Sequence, residues 1–473
     1  MENYIISDKR RQFLVTLIAA ASVFMNTLDY GMLNISLPEI SRYFHVNLAA
    51  IAWLPLIYLL IVTSSLLGFG KLGDISGYRG IFIIGLGIFT AGTVLCGLAP
   101  TMNLLLAFRA FQSIGEAMSS PIAIAVITSF LPSNVRGRAL GVVALAQGLG
   151  FAGGSALGGY INAHFIWRYI FFVNIPIGLA MIIASLKIMP KEQAKIADKR
   201  FDIPGTISIF VALATLLFFM NSIARLGFGH PVMIGCLAVS IASFFVFITQ
   251  ERRISYPLLD FGLFKNMDFT LAVISTFLAT FLIMGFTFLA PFYLEFIRKL
   301  PIGSVGGLLV IPSLMMMVLA PMSGRISDRI GSRVLCSAGT AMLVLVFAAF
   351  FIFDAATNII FVVIALFILG VAAGIFMAPN NKLVMLHAPA DKQGIASGVY
   401  KMFLNTGSVF GIALFPMVIM RKLHSLAAAG HIDMSAVRQS PEMVCAGFRN
   451  AFLLAIIVSL MTFAFSFFAR DKK

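Results

Sequence analysis

The sequence predicts an all-α polytopic membrane protein, and three observations carry that expectation. Of its 473 residues, 60% are hydrophobic and 11% charged, with a mean hydropathy of +0.99; a soluble domain has roughly 45–50% apolar and about 25% charged residues. The apolar residues form continuous runs, each long enough for the ~20 residues that a helical span needs. The basic residues gather in short clusters between those runs, as the positive-inside rule requires. A transmembrane barrel would instead alternate polar and apolar at every second residue, and a disordered chain would not hold 46 Phe at so low a charge density. The net charge of +15 is thereby assigned to topology, and no nucleic-acid partner is expected. Cys96, Cys236, Cys336 and Cys445 have no metal-type spacing and the six His are dispersed, so neither a metal site nor a cofactor is expected.

Fourteen candidate spans follow in order, near 12–36, 50–70, 81–99, 103–129, 137–161, 166–189, 204–223, 231–250, 267–297, 303–323, 334–354, 358–382, 394–421 and 449–469. The first follows Lys9, Arg10 and Arg11 as a signal peptide would. It is too long for one, lacks an A-x-A cleavage site and contains Asp29, so it reads as an uncleaved span. Pro55, Pro121, Pro176, Pro312 and Pro379 fall inside spans, where neighbouring helices re-satisfy the freed carbonyls. An even number of spans puts both termini on one side. On that side lie 23 Lys and Arg, against nine on the other (Arg42, Arg168, Arg225, Arg298, Lys299, Arg421, Lys422, Arg438 and Arg449). The asymmetry assigns both termini to the cytoplasm.

A repeat connects the loops. Gly70-Lys-Leu-Gly-Asp74-Ile-Ser-Gly77-Tyr-Arg79 returns as Gly324-Arg-Ile-Ser-Asp328-Arg-Ile-Gly331-Ser-Arg333, an offset of 254, and Pro132…Gly137…Gly141 returns as Pro389…Gly394…Gly398, an offset of 257. Corresponding loops in two halves indicate parallel transporter repeats. Two six-helix halves alone would repeat after roughly 200 residues at the usual span lengths. The excess predicts two inserted helices, giving an N-terminal six-helix bundle (1–190), a linker with two extra spans (191–265) and a C-terminal six-helix bundle (266–473).

The paired loop motif resembles the signature of the major facilitator superfamily. Further segments resemble its fourteen-helix drug:proton antiporter family: Leu28-Asp29…Asn34…Leu37-Pro38, Trp167-Arg168…Asn174-Ile-Pro176-Ile-Gly178, Phe201-Asp202…Gly205 and Pro257-Leu-Leu-Asp260…Leu263-Phe264. The resemblance runs from about residue 13 to 470. It implies a secondary transporter in the cell membrane that exports lipophilic or cationic drugs against an inward proton flow, with no cofactor and as a monomer.

Ionisable groups within spans cost ~2.5–3.5 kcal/mol on insertion scales, which makes each a functional candidate. Arg109, Gln112 and Glu116 stand at i, i+3 and i+7, on one face of the fourth span. Arg109 lies about 9 Å from the outer end of its span at 1.5 Å per residue, and Asp29 lies at a similar depth on the first. An Asp29–Arg109 pair is therefore expected, either as the exchange site for protons and cations or as a static pair joining two helices. Glu116 departs from the family pattern Arg-x-x-Gln-Gly-x-Gly, as does Ser113. Two turns deeper than Arg109, Glu116 either carries a proton or stays neutral and bonds a neighbour; desolvation favours the neutral carboxyl. Glu295, near the end of the ninth span, either couples transport or reaches the interface.

Asp74 and Asp328 are expected to cap a partner helix and hold the inner gate shut in one state; their basic neighbours Lys71, Arg79, Arg329 and Arg333 read either as topology signals or, for Arg79 and Arg333, as part of that gating motif. Gly150, Gly154 and Gly158, with Gly159, form a stripe four apart that permits close helix packing. The stripe resembles the family's antiporter motif, with Ser155 where a proline is expected. Asn34, Asn381, Lys401 and Asn405 are polar positions expected to face a cavity. An alternative reading of the same fold is a metabolite or organic-anion carrier, favoured by Lys401, Ser155 and the altered fourth span. A membrane enzyme lacks any nucleophile constellation here, and a non-transporting sensor lacks an appended soluble domain.

Overall fold

Polar caps mark where the apolar runs become helices. The Asp8 carboxylate accepts the backbone N–H groups of Arg10 and Arg11 at 3.1 and 3.2 Å and starts α1 (Lys9–Tyr43). Thr101 and Asn358 cap α5 (Met102–Phe130) and α14 (Ile359–His387) in the same way, each satisfying one of the orphan donors at a helix start. The computed structural model describes residues 6, 8–190, 203–227, 229–251, 261–354, 356–389, 393–430 and 441–471; no strand occurs among them. Besides these helices it contains α2 (Leu48–Ile51), α3 (Trp53–Ser76), α4 (Tyr78–Leu98), α6 (Ser133–His164), α7 (Tyr169–Phe172), α8 (Asn174–Ile188), α9 (Ile203–Leu226) and α10 (Pro231–Glu251). After a short 3-10 turn follow α11 (Met267–Phe292) with a π-helical extension (Tyr293–Ile297), α12 (Ile302–Ile330), α13 (Ser332–Ile352), α15 (Gln393–Gly430) and α16 (Pro441–Phe468).

Every expected span coincides with a helix, and thirteen of those described are long and apolar enough to cross a membrane. The remaining span coincides with α9, whose apolar stretch is Ile207–Met220. The second span is broken at Ala52 and the sixth at Val173, so short helices precede α3 and α8. Pro55 and Pro176 consequently fall in the first turns of α3 and α8 rather than in span interiors, where a missing N–H costs little. The motif residues Phe201, Asp202 and Pro257–Asp260, and the side chains of Lys71 and Asp74, lie outside the described residues.

The chain divides into two compact units, with the boundary within α9 between Phe210 and Val211 and with Val46–Ala52 counted in the second. In the first unit α1 packs on α6, α3 and α4 both pack on α5, α8 packs on α4, and α1 also meets α5 and α8. In the second, α11 packs on α15, α12 and α13 both pack on α14, α16 packs on α13, and α11 also meets α14 and α16. The two units thus share most of their scheme of neighbours, taken in chain order, with α15 packing on α16 in addition.

The repeat extends from the loops into these contacts. A Cβ on Gly154 would lie 2.6 Å from the Leu28 carbonyl and 2.9 Å from Gly31 Cα; one on Gly411 would lie 2.2 Å from the Phe281 carbonyl and 2.9 Å from Gly285 N. Gly31 and Gly285 are 254 apart, Gly154 and Gly411 are 257 apart, and these are the two loop offsets. Gly150 and Gly158 close on α1 likewise, and Gly159 is buried beside them. The loop glycines correspond too. Gly77 (φ +93°) and Gly331 (φ +91°) end α3 and α12 in a conformation that suits glycine and start the next helix at once.

Gly154→Val would drive its side chain into backbone that cannot give way, so it should abolish monodisperse protein on size exclusion. Gly153→Ala, whose nearest neighbour is Leu28 Cδ1 at 3.6 Å, should leave yield and melting temperature near wild type.

Candidate functional site

The buried polar groups of the first unit converge on Asp29. α1 supplies this carboxylate at 2% exposure, and α5 supplies Arg109 at 0%. Arg109 Nη1 donates to Asp29 Oδ2 at 2.7 Å and to Gln112 Oε1 at 2.6 Å. Gln112 Nε2 donates to Asp29 Oδ1 at 3.2 Å and to Thr93 Oγ1 on α4 at 2.8 Å. Asn174, the first residue of α8, donates from Nδ2 to Asp29 Oδ1 at 3.1 Å. Three donors from two helices therefore surround a carboxylate on a third. Such a charge is tolerated away from water only when it is paired and hydrogen-bonded.

Gln112 is the hub, because both ends of its amide are used. Its oxygen also accepts a weak bond from the Cys96 thiol at 3.7 Å. Arg109 is less complete. Its Nε and Nη2 have no acceptor among the described residues, and its guanidinium lies over the Tyr58 ring with Cζ 4.3 Å from the centroid, a cation–π contact. The same Tyr58, buried on α3, donates its hydroxyl proton to Glu116 Oε2. Glu116 is half-buried. Tyr58 thus touches both Arg109 and Glu116, at its face and at its hydroxyl.

The structure brings Asp29, Arg109, Gln112 and Glu116 together as expected, and adds Tyr58, Thr93, Cys96 and Asn174. Thr93 and Cys96 form a polar i, i+3 pair on a mostly apolar helix, a signal present in the sequence. Tyr58 gave no such signal. Asn34 is buried on α1. Glu295 lies in the π-helical extension of α11, in the second unit. Also in the second unit, Asn380 is tied to α11 through Ala272 O and Thr276 Oγ1 at 3.2 and 2.6 Å, while its neighbour Asn381 is exposed. Lys401 and Asn405 are half-buried on α15, and Lys401 has no ion-pair partner among the described residues.

The second loop motif, whose aspartate side chain is described, is arranged differently from the capping expected of it. Asp328 pairs with Lys382 on α14 and caps no helix among the described residues. The capping carboxylate is Asp471, which accepts the backbone N–H groups of Ser332 and Arg333 at 3.0 and 3.2 Å. Arg79 and Arg333 are more than topology signals: Arg79 Nη2 donates to Leu186 O near the end of α8, and Arg333 Nε to Phe467 O near the end of α16, both at 2.6 Å. Each guanidinium satisfies an orphan carbonyl and opposes the negative end of the helix dipole. Gly70 and Gly324 sit at equivalent places, where an added Cβ would lie 3.7 Å from Pro121 Cβ and 4.0 Å from Ala378 Cβ. Ser155 bonds back to Phe151 O at 3.2 Å and leaves α6 unbroken, so the stripe of glycines acts through packing.

The family model of the Major Facilitator Superfamily matches residues 19–412. The chain belongs to the major facilitator superfamily. It is a multi-pass membrane transporter, not an enzyme. The chain is 30% identical over 414 residues to the riboflavin transporter RibZ of Clostridioides difficile, covering 88% of this chain and 90% of that one. It is 29% identical over 412 residues to the multidrug resistance protein Stp of Mycobacterium tuberculosis, covering 87% and 76%. It is 27% identical over 437 residues to the tetracenomycin C resistance and export protein of Streptomyces glaucescens, covering 92% and 81%. In fold it is similar to a bacterial homologue of the human lysosomal transporter Spinster in its inward-facing, unoccupied conformation, with a TM-score of 0.70 at 14% identity and 98% of each chain covered.

Asp29→Asn strands Arg109 as an unpaired buried cation, which should cost about 3–5 kcal/mol of stability. Adding Arg109→Gln should recover part of that loss, as thermal unfolding of the purified protein would show. Strictly additive losses would mean that the two charges are not energetically coupled.

Proposed function

We propose that this transporter is a proton-coupled antiporter that exports lipophilic or cationic compounds across the cell membrane, as a monomer with both termini in the cytoplasm. The carrying observation is the Asp29–Arg109 pair with Tyr58 and Glu116 on its flank. Protonation of Asp29 removes the charge that fixes Arg109 Nη1. The guanidinium then turns its open Nε–Nη2 edge toward the remaining carboxylate, Glu116, past the Tyr58 ring on which it already rests. Glu116 is the half-buried member of the cluster, and as an anion it accepts either a proton or a cationic substrate, so the two compete. Exchange follows from that competition: a proton taken up on one side displaces the cation that arrived from the other. Asp74 and Asp328 act at the gate, Asp328 through its ion pair with Lys382. The names of Stp and of the tetracenomycin exporter support the export reading.

A second reading, a carrier of a neutral or anionic metabolite, is favoured by the 30% identity to a riboflavin transporter and by Lys401, which has no acidic partner among the described residues. In inverted vesicles with an acidic lumen, the first reading expects accumulation of tetraphenylphosphonium that collapses with the proton gradient. Asp29→Asn should abolish it, and Glu116→Gln should flatten its pH dependence. Gradient-independent uptake, or full uptake by Asp29→Asn, would refute proton coupling through this cluster. Riboflavin uptake without tetraphenylphosphonium uptake would favour the second reading.

A further inference from the structure

The second unit contains a cavity of about 410 Å³ that none of the transport chemistry uses. It is lined by Met417, Val418, Arg421, Lys422 and Ser425 of α15 and by Asn450 of α16, two helices that pack against each other. The α15 residues form one helical face, with 418, 422 and 425 at i, i+4 and i+7 and 417 and 421 beside them. One wall is therefore apolar, and the other presents a guanidinium, an ammonium, a hydroxyl and an amide. Among the described residues no acid lines it, and neither Arg421 nor Lys422 has an ion-pair partner. Ser425 donates its proton to Lys422 O at 2.9 Å, which leaves its oxygen as an acceptor only.

The depth of the cavity in the bilayer narrows the ligand. Arg421 stands 28 residues beyond the start of α15, which is about 42 Å at 1.5 Å per residue. Asn450 stands 18 residues before the end of α16, about 27 Å by the same rise. The hydrocarbon core is about 30 Å thick and the whole bilayer about 40–45 Å. Measured along the two helices from the end where α15 starts and α16 finishes, the cavity thus spans about 27–42 Å, which brackets the boundary between the hydrocarbon core and the headgroups of the opposite leaflet. That is also the side with nine of the basic residues against 23 on the other, so two adjacent cations there run against the topological bias.

We propose that this cavity binds the headgroup of an anionic phospholipid, the phosphodiester taken by Arg421 and Lys422, the headgroup hydroxyls by Asn450 and Ser425, and the start of an acyl chain by Met417 and Val418. Arginine matches two phosphate oxygens with its planar fork, and lysine adds a compact charge. The apolar wall distinguishes a lipid from free phosphate, which would leave it unused.

The test uses the purified full-length protein and native mass spectrometry with phosphatidylglycerol, phosphatidylcholine and inorganic phosphate as probes. The wild type should retain phosphatidylglycerol in preference to phosphatidylcholine. The preference should fall by about fivefold for each of Arg421→Gln and Lys422→Gln, the factor for one charge near an anionic surface. Met417→Trp keeps both charges and fills the cavity; it should lose the bound lipid while its melting temperature confirms that it is folded. Lys9→Gln/Arg10→Gln, at the far end of the chain's first helix, should change nothing. A phosphatidylglycerol preference that survives Arg421→Gln/Lys422→Gln, or one that Lys9→Gln/Arg10→Gln removes equally, would overturn the site. Displacement of the lipid by millimolar inorganic phosphate would replace the lipid with a free anion and overturn the proposal as stated.

Discussion

Burial of one carboxylate and one guanidinium where water is scarce is the constraint on which the first unit depends. A lone charge in hydrocarbon costs several kcal/mol, so Asp29 and Arg109 fix α1 against α5, and the remaining lone pairs of Asp29 draw in Gln112 and Asn174. Gln112 in turn fixes α4 through Thr93. Four helices are positioned by one carboxylate and the amide beside it. The arrangement is not saturated, because Arg109 keeps two donors without acceptors.

Close packing without large side chains is the second constraint, and both units meet it in the same way. Where α1 crosses α6, glycine meets backbone, and the equivalent glycines of α11 and α15 do the same. Membrane helices associate through such van der Waals contact rather than through the hydrophobic effect. This explains why the repeat persists in the glycines at helix crossings after it has faded in the side chains around them. The loop arginines persist for a related reason: Arg79 and Arg333 each tie the start of one helix to the last carbonyls of another.

The helices and the internal repeat were legible because each rests on a local property: apolar length or glycine spacing. Asp29, Arg109 and Gln112 were legible because polar groups are rare in spans. Tyr58 was not, since an aromatic residue in an apolar run looks like any packing residue until its hydroxyl is seen on Glu116. The partner of Asp328 was not legible for a similar reason. Sequence shows that Asp328 stands at a helix end, but not that Lys382 is closer to it than any helix start, nor that Asp471 fills the capping role. Ser155 illustrates the converse, a departure from a motif that leaves the packing of its helix intact.

The central claim is that the buried carboxylates of the first unit exchange protons for substrate. It is tested most directly by proton release from purified protein in weakly buffered solution on addition of tetraphenylphosphonium. The account predicts a release in the wild type that is lost when Asp29→Asn and Glu116→Gln are combined, with binding measured in parallel to confirm that the variant is folded. Undiminished release from that variant would contradict it.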